Sequence, residues 1–251
     1  MAENMLRIAR LYKHFGGLVA TDHVDLALAH GEIHALIGPN GAGKTTLIHQ
    51  LSGALRPDAG RIVFAGHDVT ALGMPQRVRL GLARSYQITS VFRGFSVEHN
   101  LALAVLARSG SSVRFWKPLS REAALFDEAR ALAARVGLKG RETTLAGSLA
   151  HGEQRQLELG LALATRARVL LLDEPMAGMG PEESRRIVEL IAELRGQVSV
   201  LLVEHDMDAV FRLAGRISVL VSGRVIATGE PAEIRANAEV KRAYLGDEVT
   251  A

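Results

Sequence analysis

No cysteine occurs in the chain. That excludes disulfide staples and thiolate metal sites, and it suits a reducing compartment. Aromatic residues are scarce, at 4% of 251 residues, so any interior must be built from Leu, Val, Ile and Ala. No window approaches the roughly 18–20 apolar residues of a membrane-spanning helix. Apolar runs such as "VLLL" (169–172) and "VLLV" (200–203) have the length of buried strands instead. The opening "MAENMLRIARLYKHFGG" lacks the basic-then-apolar order of a secretory signal, and the expected location is cytoplasmic. Excess charge is small as well: a net +3 gives no reason to expect a nucleic acid partner. Arg77, Arg79 and Arg84 read as solvated helix faces. What is present, 48% hydrophobic and 23% charged residues, fits one large domain or one domain carrying an inserted lobe.

Short apolar runs alternate with longer helical patterns, which predicts an α/β fold with a mainly parallel sheet. "IHALIG" (33–38) reads as a strand and "KTTLIHQLSGAL" (44–55) as the helix after it, with Leu47, Ile48, Leu51 and Leu55 on one face. "RIVFAGHDV" (61–69) alternates like an antiparallel strand. "ARVLLLDEP" (167–175) and "VSVLLVEHD" (198–206) read as strands that end in acids or His. "RISVLVSGRVIATG" (216–229) predicts a hairpin turning at Ser222–Gly223. Gly180, Pro181, Glu182 and Glu183 form a helix opening, whose buried face is Ile187, Val188, Leu190, Ile191 and Leu194. Between about 92 and 160 the pattern is helical, with "SSVRFWKPLS" (111–120) as an exposed connection. The expected organisation is a single domain over 1–251, with a core of about 1–90 and 160–251 and a helical lobe of about 91–159.

"GPNGAGKTT" runs Gly38, Pro39, Asn40, Gly41, Ala42, Gly43, Lys44, Thr45, Thr46 and matches G-x-x-x-x-G-K-[ST] between a strand and a helix. Its glycines let backbone N–H groups converge, and the helix N-terminus adds partial positive charge. Lys44 can reach the β- and γ-phosphates while the Thr45 hydroxyl ligates Mg²⁺. This stretch binds a nucleoside triphosphate. Asp173 and Glu174 end an apolar strand, where carboxylates face the same crevice. Asp173 suits the Mg²⁺ shell, and Glu174 suits polarising a water aimed at the γ-phosphate. His205 ends another strand and could hold the γ-phosphate and the attacking water in line. Gln87 carries an amide that can touch both Mg²⁺ and water.

Together these stretches resemble the nucleotide-binding subunit of an ATP-binding cassette (ABC) transporter over nearly the whole chain. The family order of aromatic, phosphate loop, glutamine loop, signature, acid pair and switch histidine is met by Phe15, Gly38–Thr46, Gln87, Leu149–Glu153, Asp173–Glu174 and His205. The resemblance implies ATP and Mg²⁺, ATP hydrolysis, and adenine stacking on Phe15. It implies a P-loop core with an antiparallel N-terminal portion and an inserted helical subdomain. It also implies that Leu149, Ala150, His151, Gly152 and Glu153 open a helix facing the ATP of a second subunit, so that two chains sandwich two ATP molecules. Gly152 would then let the backbone approach the γ-phosphate. The sequence departs from the family pattern at Ala150 for Ser, His151 for Gly, Glu153 for Gln, and Gly180 for the Asp of the loop after the acid pair.

"HFGGL", "RSYQITSVFRGFSVEHNL", "LAHGEQRQLELG", "LLDEPMAGMG" and "AYLGDE" look like importers of branched-chain amino acids and related small amides. This implies a second ATPase, two membrane permeases and, indirectly, a periplasmic binding protein. The subunit would be peripheral at the cytoplasmic face of a bacterial inner membrane. Val91, Phe92 and Phe95 beside Arg93 suit either a permease-docking surface or packing within the lobe. Two other readings stay open: the ATPase of a lipid or lipopolysaccharide exporter, and a soluble ABC-type ATPase acting on nucleic acid.

Overall fold

The computed structural model describes residues 4–84, 91–108 and 123–243. Its central feature is a six-stranded sheet. Strands β3 (Ile33–Ile37), β7 (Val169–Asp173) and β8 (Ser199–Val203) are buried along their whole length. That explains their near-continuous apolar sequence, because a parallel sheet is covered on both faces. With β6 (Leu82–Arg84), β9 (Arg216–Val221) and β10 (Arg224–Gly229), the order is β10-β9-β3-β8-β7-β6. All pairs are parallel except β9–β10, the expected hairpin. Its turn residues Ser222 and Gly223 both have positive φ, the geometry that matches strand twist in a two-residue hairpin.

Alternation along the strands feeds two different cores. Leu170, Leu172, Val200 and Leu202 join one hydrophobic cluster, and Val169, Leu171, Leu201 and Val203 join another. The second cluster is closed by Leu47, Ile48 and Leu51 of α1 (Lys44–Ser52) and by an antiparallel sheet. That sheet has the order β2-β1-β4-β5, from β1 (Asn4–Phe15), β2 (Leu18–Ala29), β4 (Ala59–Phe64) and β5 (His67–Asp68). The stretch 61–69 is therefore two strands and not one. Ala65 and Gly66, both at positive φ, turn the chain back on itself.

Helix α1 ends at Ser52, three residues before the expected Leu55, because Gly53 takes up the left-handed conformation and caps Gln50. A second agent reinforces this end. Arg77 of α2 (Met74–Leu80) donates from Nη1 to the carbonyl oxygens of Gln50 and Leu51, both at 2.7 Å. Its Nε and Nη2 reach the Leu72 and Thr70 carbonyls. The expectation of a solvated arginine face thus holds only for Arg79. Arg77 is buried, and burial pulls its guanidinium down to about 10. What draws the guanidinium inward despite that penalty is the row of unpaired, partially negative carbonyls at a helix C-terminus, which a planar fork of donors satisfies.

The helical lobe comprises α3 (Val97–Arg108), α4 (Ala123–Arg135) and α5 (His151–Ala164). Its Val97, Leu101, Phe126 and Leu157 belong to the same hydrophobic cluster as Leu170 and Leu172 of the sheet. α6 (Pro181–Glu193), opened by Gly180 with Pro181 in its first turn, supplies Ile187 and Ile191 to that cluster. Val91 is also part of this core, so it does not belong to a docking surface. Phe92 and Phe95 do face solvent, stacked on each other with ring centroids 5.4 Å apart. The Asn100 side chain fixes them there, accepting from the Phe92 amide at 2.8 Å and donating to the carbonyls of Phe92, Phe95 and Ser96. The chain closes with α7 (Met207–Leu213), α8 (Pro231–Ala236) and α9 (Ala238–Ala243). No helix among the described residues is long and apolar enough to cross a membrane.

Candidate functional site

Parallel strands deliver their C-terminal ends to one edge of the sheet, and the chemistry gathers there. β3 leads into the loop 38–43, β8 into Glu204–His205, and β7 ends on Asp173 with Glu174 following. Since β3, β8 and β7 are adjacent, the three ends are neighbours.

The loop after β3 is built around close backbone approaches. A Cβ on Gly38 or Gly43 would run into the carbonyl oxygen of Leu220 or Ala20, and Gly43 is left-handed with φ 102°. Gly43 is also the N-cap of α1, and no side chain caps the helix or places an acid in its first turn. The first-turn amides therefore stay available to an anion, helped by the helix dipole. Lys44 folds back over the loop, its Nζ donating to the carbonyls of Gly38 at 2.6 Å and Pro39 at 2.9 Å. Burial pulls this ammonium below the ordinary lysine range, while the charges of Glu174 and Asp173 act in the opposite direction. The basic and acidic motifs, 129 residues apart from Lys44 to Asp173, thus share one electrostatic site. Thr45 is exposed at the helix start, Thr46 half-buried.

Asp173 is buried, and its Oδ2 accepts from Arg84 Nη2 at 2.8 Å. This corrects the reading of Arg84 as a surface residue: it ends the edge strand β6 with its side chain only 6% exposed. Asp173 Oδ1 is buried with no hydrogen-bond partner among the described residues. A buried, unmatched carboxylate oxygen beside a phosphate loop fits a hard divalent cation, which takes oxygen ligands. Glu174 is half-buried and holds φ 47°, unusual for a residue with a side chain. Its amide donates to the Val203 carbonyl at 2.9 Å, which ties the strained residue to the end of β8.

His205 projects its side chain into solvent at this edge, 62% exposed. The residue before it went unnoticed in the sequence. Glu204 is 1% exposed, and its carboxylate accepts from the Met176 amide and the His205 amide, both at 3.0 Å. It welds the loop after β7 to the end of β8. The only signal in the sequence was an acid closing an apolar strand, overshadowed by the His beside it.

Phe15 ends β1 and is 49% exposed, with the Lys13 ammonium over its ring, 5.5 Å from the centroid. Gln87 lies outside the described residues. Of the stretch 149–153, Leu149 is buried and Ala150 and His151 are exposed at the start of α5. Glu153 turns back on its own helix, accepting from the Ala150 amide at 3.0 Å and from Arg141 Nε at 2.9 Å. Gly152 is buried within the chain: a Cβ there would meet the Glu183 carboxyl at 3.0 Å. Its lack of a side chain is used by the first turn of α6.

Beside Phe92 lies a groove of about 670 Å³, lined by Met74, Val78, Phe92, Ala104, Arg108 and Leu161 among others.

A family model described as ABC transporter matches residues 21–177. A second, described as branched-chain amino acid ATP-binding cassette transporter, matches residues 224–250. The high-affinity branched-chain amino acid transport ATP-binding protein LivG of Escherichia coli (strain K12) is 39% identical, covering 98% of this chain and all of that protein. The lipopolysaccharide export system ATP-binding protein LptB of Acidithiobacillus ferridurans is 36% identical over 97% of this chain and 98% of its own length. Among solved structures, the ADP conformation of MJ1267, an ATP-binding cassette of an ABC transporter, matches with a TM-score of 0.86 at 27% identity, covering 98% of this chain and 100% of that one. With a family match over residues 21–177, 39% identity along nearly the whole chain and this likeness of fold, the chain belongs to the ABC transporter family, as one of its ATP-hydrolysing cassettes.

Proposed function

We propose that this cassette powers a bacterial importer of branched-chain amino acids or related small polar amides. The observation that carries the ATPase half is the convergence of Lys44, Asp173 and Glu174 at one sheet edge. The import half rests on the match at residues 224–250 and on the LivG likeness.

In this reading the first-turn amides of α1 and Lys44 hold the β- and γ-phosphates, with Gly38, Pro39, Asn40, Gly41, Ala42 and Gly43 wrapped around them and Phe15 stacked on adenine. Thr45, Asp173 and Gln87 would hold Mg²⁺, which neutralises phosphate charge when bound. Glu174 accepts the proton of a water whose oxygen bonds to the γ-phosphorus as the bond to the ADP oxygen breaks. Its backbone, fixed through Val203, aims the carboxylate; His205 steadies the γ-phosphate. Ala150 and His151, the exposed part of 149–153, face the ATP of a second ATPase subunit. Two permeases complete the assembly at the cytoplasmic face of the membrane, with a periplasmic binding protein acting through them. The lobe of about 91–159, with Phe92, Phe95 and the groove beside them, is the permease-facing part of the single 1–251 domain.

The LptB likeness favours a second reading, a lipopolysaccharide exporter. Reconstitution with membrane permeases of each kind separates the two. Uptake of radiolabelled leucine, isoleucine or valine into ATP-loaded proteoliposomes, dependent on a binding protein, is the expected result. Lipopolysaccharide release without amino acid uptake would replace import with export.

A further inference from the structure

Arg84 is not among the motif residues, yet its buried ion pair seizes one of them, Asp173. Arg84 Nη2 donates to Asp173 Oδ2, and the other oxygen, Oδ1, is left buried and unmatched among the described residues. Lys44, a second cation within the field of Asp173, is already donating to Gly38 and Pro39. We infer that Arg84 is a positioning residue for the cation that accompanies the nucleotide: by clamping Oδ2 it keeps Oδ1 of Asp173 free for that ion. The inference rests on the reading of Asp173 as a cation-holding residue.

Two effects of the guanidinium oppose each other. Its charge repels a divalent cation, and its hydrogen bond fixes the carboxylate that attracts one. Fixing wins because of where the pair sits. Both side chains are almost wholly buried, and removing one partner strands the other charge in a poor solvent. Asp173 would then turn toward the nearest donor, with Lys44 in its field, and withdraw the oxygen that the cation needs. Partners that orient a metal-binding carboxylate typically contribute about 10–100-fold to metal affinity.

The test titrates Mn²⁺ into the full chain saturated with ADP and follows free Mn²⁺ by electron paramagnetic resonance. Variants are Arg84→Gln, Arg84→Lys and Asp173→Asn, and ADP affinity in EDTA is the control. Arg84→Gln is expected to weaken Mn²⁺ binding about 10–100-fold, a far larger change than any in ADP binding in EDTA. Arg84→Lys, a single point donor in place of a fork, is expected to fall between the two. Wild-type Mn²⁺ affinity in Arg84→Gln would make Arg84 merely structural, and tighter binding would show that repulsion dominates; either overturns the inference. If Arg84→Gln does not fold, Arg84→Lys decides alone, weakened Mn²⁺ binding supporting the inference and wild-type affinity overturning it. Asp173→Asn separates the two levels: unchanged Mn²⁺ binding there sinks the reading of Asp173 itself.

Discussion

The Glu174 amide donates to the Val203 carbonyl at 2.9 Å, across the C-terminal ends of two neighbouring strands. The bond holds a non-glycine residue in the left-handed region at the point where the chain leaves the sheet. Strain of this kind costs about 1–3 kcal/mol and persists where the surroundings over-determine it. Glu174→Gln keeps the backbone device and removes only the proton acceptor. Turnover is expected to fall about 10²–10⁴-fold with ATP still bound. ATPase rates near wild type would remove Glu174 from the chemistry.

Glu204 makes a separate, structural prediction. Its buried carboxylate satisfies two amides, and Glu204→Ala leaves both without their acceptor. A loss of about 2–4 kcal/mol in urea unfolding is expected, with faster amide exchange at Met176. Glu204→Gln, which keeps one acceptor oxygen, should recover part of it. Exchange at Met176 that is indifferent to both variants would show that the carboxylate does not hold that loop.

Arg77 is expected to behave as a helix cap of unusual strength. Arg77→Met fills the space but leaves the Gln50, Leu51, Leu72 and Thr70 carbonyls without its donors, at a cost of about 2–4 kcal/mol. Because α1 begins with Lys44, ATP affinity should drop alongside stability. A neutral effect on both would mean that water replaces the guanidinium freely.

His34 gives the fold an acid sensitivity. It lies in β3 with Nε2 2.9 Å from Ser218 Oγ, and burial pulls its imidazole down to about 4, against an opposing pull from Glu32. The unfolded chain binds this proton near the ordinary histidine value of 6.5, so between about 6.5 and 4 it holds more protons than the folded one. Stability is therefore full above about pH 6.5 and declines as pH falls toward 4, by something on the order of 3 kcal/mol. Urea midpoints at about pH 7 and about pH 5 should differ less in His34→Gln than in wild type. Equal differences would assign the acid sensitivity to other groups.

The sheet was legible because parallel strands buried on both faces leave uninterrupted runs such as "VLLL" and "SVLLV", and the phosphate loop because two of its glycines, Gly38 and Gly43, are dictated by carbonyls that leave no room for Cβ. The edges were less legible. "RIVFAGHDV" hides a turn because Ala65, not a glycine, takes the first left-handed position. Arg77 and Arg84 look like surface charges because the groups that draw them inward, carbonyls at the end of α1 and the Asp173 carboxylate, lie 26 and 89 residues away. Gly152 was legible as a place without room for a side chain, but not the neighbour that crowds it within the chain, the Glu183 carboxyl on a separate helix 31 residues away.

The most direct test is the mass of Glu174→Gln by light scattering, with Mg-ATP and with Mg-ADP. The chain alone weighs 27.0 kDa. The expected result is a dimer with ATP only, at twice that mass by itself or at the summed mass of the two chains after addition of the second ATPase subunit, as the proposed sandwich of two cassettes requires. A monomer in ATP under both conditions, with nucleotide bound, would contradict a sandwiched site and leave this cassette hydrolysing ATP alone.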